Sequence, residues 1–217
     1  MSRYGFQSAV TPGDLLAAHP EIWPLAETVL HQYYKSFAKP LPNPIIPSDP
    51  ARSLKLDAIL VFNDSRDWAL DTTVILDALL SKQGILGTLS EKNDNPNLPN
   101  RGYQQDGQPR LYFSNPDLWW AAKYHLPRLG QGGFREALRG LWTAVTGGPS
   151  RGVELQMQIA GKPYQATYEF AEKRLREARN RLFGSELASR VPLRKVFMVG
   201  DNPGTCKRLY AQTIHVD

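Results

Sequence analysis

"LKLDAILVFND" (54–64) runs directly into "SRDWALDTTVILDALLSKQG" (65–84), and the pair decides the fold class. In the first stretch an apolar run, Ala58 to Phe62, is bounded by polar residues, which predicts a buried strand. In the second, Trp68, Val74, Ile75, Ala78 and Leu79 fall on one helical face, and Gly84 is the expected stop. Strand, short loop and helix together make an α/β unit.

Upstream, "KPLPNPIIPSDP" (39–50) holds five prolines and is expected to be extended. Before it, a short helix is predicted from Asp14 and a longer one from about Pro24 to Phe37. Downstream, "EKNDNPNLPNRGYQQDGQP" (91–109) reads as an exposed loop or hairpin excursion. "RLYFSNPD" (110–117) reads as a short strand ending in a polar turn. "GGFREALRGLWTAVTGG" (132–148) carries Phe134, Ala137, Leu138, Leu141, Trp142 and Val145 at helical spacing, with Gly147 and Gly148 closing the helix.

Beyond it the order becomes strand (Val153 to Ile159), "GKP", helix (Pro163 to about Leu182) and a second strand, Val196 to Val199. That strand would deliver Asp201 at its carboxyl end. Strand, helix and strand are the ingredients of a right-handed parallel crossover, so an α/β class is expected. No internal repeat is evident.

The chain has 217 residues, 41% apolar and 22% charged, ordinary values for a globular protein with a real core. Its net charge is +5, and much of the excess lies between Lys173 and Lys195, where eight Lys and Arg face Glu177 and Glu186. With Leu175, Ala178 and Leu182 at helical spacing, this is read as the solvated face of an amphipathic helix. Nucleic acid is not an expected partner, since neither an RNA-binding aromatic signature nor a Cys/His finger spacing occurs. The single cysteine, Cys206, excludes an internal disulfide and a cysteine-rich zinc site. No run approaches the ~18 apolar residues of a membrane span, and "MSRYGFQSAV" has neither a secretory nor an amphipathic targeting pattern.

Two stretches carry candidate chemistry. In "AGKPYQATYEF", Gly161 allows close backbone approach and Pro163 suits a helix start, which puts Lys162 at a helix N-terminus where an anion is welcome. A surface lysine at a helix start is the plainer alternative. In "VFMVGDNP", Asp201 just past a buried parallel strand stands where open α/β sheets bind ligands, and such carboxylates commonly hold Mg²⁺. An Asp capping the following turn is the plainer alternative there. Together a lysine and a metal carboxylate on adjacent strand ends make a phosphate site. His19, His31, His125 and His215 are scattered, and Asp64, Asp67 and Asp71 read as loop and helix-start acids.

"GKP" followed some forty residues later by "VGDNP" resembles motifs III and IV of the haloacid dehalogenase (HAD) superfamily of phosphohydrolases. "DAILVFNDSRDW", "YFSNPDLWW" and "RLGQGGFREAL" resemble the α/β cap of its subfamily IIA, which contains phosphoglycolate and pyridoxal phosphate phosphatases. "VFNDSRDW", "LSKQGILGT" and "SNPDLWWAAKYHLPRLGQGGFR" are most similar to the cat-eye-syndrome-critical-region hydrolase group. The resemblance runs from about Tyr4 to Pro203.

It implies a HAD-like fold: a remnant of the core-to-cap connection (1–10), the α/β cap (11–148), and the C-terminal part of a Rossmann-like three-layer α/β/α core (149–217). It implies Mg²⁺-dependent hydrolysis of a small phosphorylated metabolite through an aspartyl-phosphate, with a sugar phosphate, glycerol phosphate or glycerophospholipid precursor as substrate. Lys162 becomes the motif III lysine, Asp201 the first motif IV acid, and Ser114, Asn115 and Asp117 the cap loop facing the active site. Trp119 and Trp120 beside that loop are expected to pack within the cap.

The departures are equally specific. No DxD occurs in the sequence, so the nucleophile of the family is missing, and Cys206 stands where the second motif IV acid would be. After Pro203, "GTCKRLYAQTIHVD" no longer follows the family. A shortened chain, inactive by itself and with weakened or lost Mg²⁺ binding, is therefore expected. The alternative is a non-catalytic cap that forms a homodimer or pairs with an intact paralogue. The compartment implied by resemblance is the mitochondrion, otherwise the cytoplasm.

Overall fold

The architecture is that of a computed structural model, which describes residues 5–184 and Val196. The expected strand ending at Val199, with Asp201 and Cys206, lies outside the described residues. The chain forms two compact units, residues 1–113 with 117–158, and residues 114–116 with 159–217.

In the first unit, Thr11 caps helix α1 (Pro12–Ala18) in a reciprocal capping box with Asp14. Asp14 is therefore the third helical residue rather than the start. Its other carboxylate oxygen accepts from the backbone N–H of Lys39 at 2.7 Å, which ties the proline-rich segment to the helix. A single 3-10 turn (Pro20–Ile22) follows, then α2 (Thr28–Lys35). The helix predicted from Pro24 begins only at Thr28, because Ala26 N–H closes a tight turn onto the carbonyl of Trp23 instead.

Strand β1 (Ala58–Val61) leads through Asp67, whose carboxylate caps the helix, into α3 (Trp68–Leu80) and on to β2 (Arg110–Phe113). β1 and β2 pair in parallel, Ala58 opposite Arg110 and Val61 opposite Phe113. The protein is thus a mixed α/β structure built on a parallel sheet, as the opening stretch predicts. A third strand, β5 (Gln158–Ile159), gives the sheet order β1-β2-β5.

β1 was expected to be buried and is not. It lies at a sheet edge, Ala58 is exposed and the other three residues are half-buried, because among the described residues only one of its two edges is paired. Gly84 also has a different task from stopping a helix. α3 already ends at Leu80, with Ser81 extended, and Gly84 sits at φ 83°, where a Cβ would collide with the carbonyl oxygen of Leu56. Its own carbonyl accepts from Leu56 N–H at 2.9 Å, so glycine there allows backbone to lie against backbone.

Helix α4 (Gln131–Thr146) ends at left-handed Gly147, as predicted. Its buried stripe is narrower than the sequence suggests: Phe134, Leu138 and Trp142 are buried, while Leu141 and Val145 face solvent. Phe134 packs edge-on to Trp68 and Trp142 edge-on to Tyr103. Leu15, Leu16, Leu70, Val74 and Ala78 form the core between α1 and α3. Each large side chain fully buried here stabilises by roughly 1.5–3 kcal/mol.

The segment 91–109 is no free excursion. Tyr103 is buried against Trp142, Lys92 pairs with Asp106 at 2.9 Å, and Asp94 bridges Arg101 and Arg151, each at 2.9 Å. Around a 3-10 turn (Pro99–Gly102), Asn100 and Gln104 aim their amides at the extended residues that follow α4. The Asn100 amide accepts from Glu154 N–H at 2.8 Å and donates to Glu154 O at 3.0 Å. The Gln104 amide does the same for Gln156, at 2.8 and 2.9 Å. The strand predicted over Val153 to Ile159 is therefore regular only at Gln158 and Ile159, since side chains occupy the earlier rungs.

The second unit contains the Ser114 to Pro116 loop and α5 (Gln165–Phe183). Pro163 lies outside the helix, one residue before its N-cap, Tyr164. The basic side of α5 carries helical ion pairs, Arg176 to Glu172 at 2.6 Å and Arg174 to Glu177 at 2.8 Å. None of its residues is buried.

Candidate functional site

Gly161 opens the "GKP" stretch, where a phosphate loop was expected. At φ 101° it holds a conformation that favours glycine, and a Cβ would collide with the Pro116 ring while meeting Ser114 O at 3.2 Å and Asn115 Cα at 3.4 Å. The "GKP" loop and the "SNP" loop therefore touch through a residue with no side chain. Gly161 N–H donates to Thr167 Oγ1 at 2.7 Å, and Tyr164 N–H donates to Gly161 O at 2.8 Å, so the loop is anchored to the first turn of α5.

Lys162 follows at once, half-buried, and forms no ion pair among the described residues. It precedes the α5 N-cap by two residues, so it stands ahead of the helix rather than in its first turn. Ser114 and Asn115 are half-buried too. Gly161, the residue before Lys162, thus lies against the loop that holds Ser114 and Asn115. Asp117 belongs to the first unit, where its carbonyl accepts from Gly132 N–H at 2.9 Å at the start of α4. Among the described residues no group of three His, Cys, Asp or Glu is placed to hold a metal ion.

A second feature is an open groove of about 830 Å³ in the first unit, lined in part by β1. Leu60, Tyr33, Tyr34 and Phe37 make its apolar part, and Asp67 and Asp71 its polar end. Burial pushes Asp71 up to about 6, a nearby Ser65 hydrogen bond partly offsets this, and the charge of Asp67 adds to the rise. Tyr34 is raised too, first by burial and then by Asp67 and Asp71. Helical spacing alone marks Asp71 as a helix-start acid. Its raised pKa comes from burial, which no local pattern reveals.

Trp119 and Trp120 do not pack inside the cap as expected. They form β3 (Trp119–Trp120), paired antiparallel with β4 (Arg128–Leu129), and are 55% and 50% exposed. The hairpin packs on the start of α4 through Leu129, whose side chain lies against Gly133, and Trp120 passes close to Gly130, so each indole is about half covered.

No known family profile matches the chain. It is similar to the Mitochondrial hydrolase YKR070W of Saccharomyces cerevisiae, 36% identical over 216 residues, covering 93% of this chain and 54% of that protein. It is also similar to a Cardiolipin synthase (CMP-forming) / mitochondrial hydrolase fusion protein of Schizosaccharomyces pombe, 31% identical over 202 residues, covering 93% of this chain and 28% of that protein. The chain spans about half the length of the first relative and less of the second. No helix among the described residues is long and apolar enough to cross a membrane.

Proposed function

We propose that the chain is the cap (11–148) and the motif III to motif IV part (149–217) of a HAD-type phosphohydrolase of subfamily IIA, acting on a small phosphorylated metabolite in the mitochondrion. The observation that carries this reading is Gly161 seated against Ser114 to Pro116, which sets the residue before Lys162 against a loop of neutral polar groups. Two relatives bearing the name mitochondrial hydrolase support the reaction class and the compartment.

In this reading Lys162 neutralises a phosphoryl oxygen, and Ser114 and Asn115 orient the rest of the substrate. Asp201 is the carboxylate that would fix Mg²⁺, and Cys206 leaves the second acid position empty of charge. Without a DxD aspartate, no aspartyl-phosphate forms on this chain, so phosphate binding rather than turnover is expected.

Calorimetric titration with inorganic phosphate and Mg²⁺, beside phosphate release from an aryl phosphate, tests it. Weak phosphate binding that disappears in Lys162→Ala, with no turnover in either protein, is the expected result. Failure of the unaltered chain to bind phosphate, or turnover that survives Lys162→Ala, overturns the reading.

The edge of β1, unpaired among the described residues, favours a second reading, a cap that pairs with another chain. A continuous apolar run suits a strand with neighbours on both sides, and an edge so composed invites a further strand. Mass measured by light scattering across a concentration series is expected to rise towards a dimer and to stay monomeric in Leu60→Lys. A wild-type chain that is monomeric throughout would falsify this second reading.

A further inference from the structure

From Asp117 to Leu129 every residue except Ala122 is exposed. Within this stretch Leu118, Trp119, Trp120, Tyr124, Leu126 and Leu129 are all large, apolar or aromatic, and each is at least 42% accessible. Such a cluster on one short hairpin is too concentrated to be scattered surface hydrophobicity.

Pairing sets where these groups point. Trp119 lies opposite Leu129 and Trp120 opposite Arg128. Paired residues share a face and successive residues alternate, so one face carries Trp119 with Leu129 and the other Trp120 with Arg128. Both faces are aromatic: Leu129 and part of Trp120 rest on the start of α4, and about half of each indole is left in solvent.

Past Asp117, the charge on this stretch has one sign. Leu118 to Leu129 contains Lys123, Arg128 and His125 and no acid. Neither Lys123 nor Arg128 forms an ion pair among the described residues; the Arg128 guanidinium donates from Nε to the Pro127 carbonyl at 3.0 Å and lies 4.5 Å above the Tyr124 ring. Indole and phenol rings prefer the boundary between water and hydrocarbon, while Lys and Arg stems reach from there to phosphate oxygens.

We propose that the β3–β4 hairpin is a membrane-docking element that seats on an anionic phospholipid surface, Trp119 and Trp120 entering the interface and Lys123 and Arg128 meeting lipid phosphates. A protein partner fits less well, since interface cores are depleted in lysine and the hairpin's cations would need carboxylates opposite them. The proposal is independent of the phosphohydrolase reading, because it uses neither Lys162 nor the loop beside it.

The test is co-sedimentation of the full chain with vesicles of phosphatidylcholine alone and of phosphatidylcholine with phosphatidylglycerol, together with tryptophan emission. Binding to the anionic vesicles is expected, with a blue shift in emission, weakening as salt rises. Lys123→Gln and Arg128→Gln should each lower partitioning about fivefold. The double variant Trp119→Ser with Trp120→Ser should lose both binding and the blue shift. Absence of binding to anionic vesicles, or binding unchanged in the double tryptophan variant, overturns the proposal. So does a wild-type dimer that the double tryptophan variant converts to monomer without any vesicle binding by wild type, since the face would then belong to a second copy. All four positions are exposed, and circular dichroism of each variant confirms that loss of binding is not loss of fold.

Discussion

Two amphipathic helices of similar length, α4 with 16 residues and α5 with 19, meet opposite fates. α4 buries Phe134, Leu138 and Trp142 completely, and its rings stack edge-on against Trp68 and Tyr103. α5 carries Phe170, Leu175, Leu182 and Phe183, and these remain 65%, 41%, 78% and 60% exposed. Helical spacing states which residues can share a face; only partners elsewhere decide whether the face is covered. α4 therefore adds a buried face to the first unit beside the α1–α3 core, while α5 is held by its anchored N-terminal loop and its ion pairs.

The sharpest way to break this contrast is in α4. Trp142→Ala should cost about 4 kcal/mol in chemical denaturation, the scale of emptying a core site of its largest ring. Trp142→Phe should cost under about 1.5 kcal/mol, because the buried indole N–H has no hydrogen-bond partner to lose. A loss for Phe as large as for Ala would mean that the indole nitrogen matters.

A middle-sized effect, of opposite sign, is expected at Asp71. Burial raises its folded-state pKa from the ordinary aspartate value to about 6, so its contribution to stability is full below about 4 and is lost as pH rises through about 6. Asp71→Asn should stabilise the chain at neutral pH by about 1–2 kcal/mol, allowing for its partial exposure to solvent. The same change should flatten the pH dependence of the melting temperature between about pH 4 and 6. A variant that is less stable at neutral pH would show that the carboxylate has a partner worth more than its burial costs.

The smallest effect belongs to α5. Leu182→Ser should change stability by no more than about 0.5 kcal/mol, since the side chain is already in water. A larger loss would reveal that its apolar face is covered in solution, and the contrast with α4 would have to be redrawn.

The α/β class was legible from residues 54–84 because apolar runs and helical spacing are local signals, and β1, α3, β2 and α4 appear within a few residues of their predicted places. The exposure of β1 was not, because burial of a strand depends on neighbours far along the chain. The segment 91–109 looks like a loop by composition, yet its Asn and Gln side chains do the work of a strand. Of the candidate site, the approach of the "GKP" loop to Ser114 and Asn115 rests on Gly161, a residue the sequence does mark. The Asp71 environment and the half-exposed hairpin of Trp119 and Trp120 left no local mark at all.

The amides of Asn100 and Gln104 give the stretch after α4 an unusual kind of mutability. A backbone ladder is indifferent to most codons, since every residue except proline offers the same N–H and C=O. Here each rung is a side chain, and a single codon change at position 100 or 104 removes one rung while leaving the segment's own sequence untouched. The anchoring of the residues after α4 is therefore open to heritable adjustment in steps, from a site more than fifty residues away in the chain.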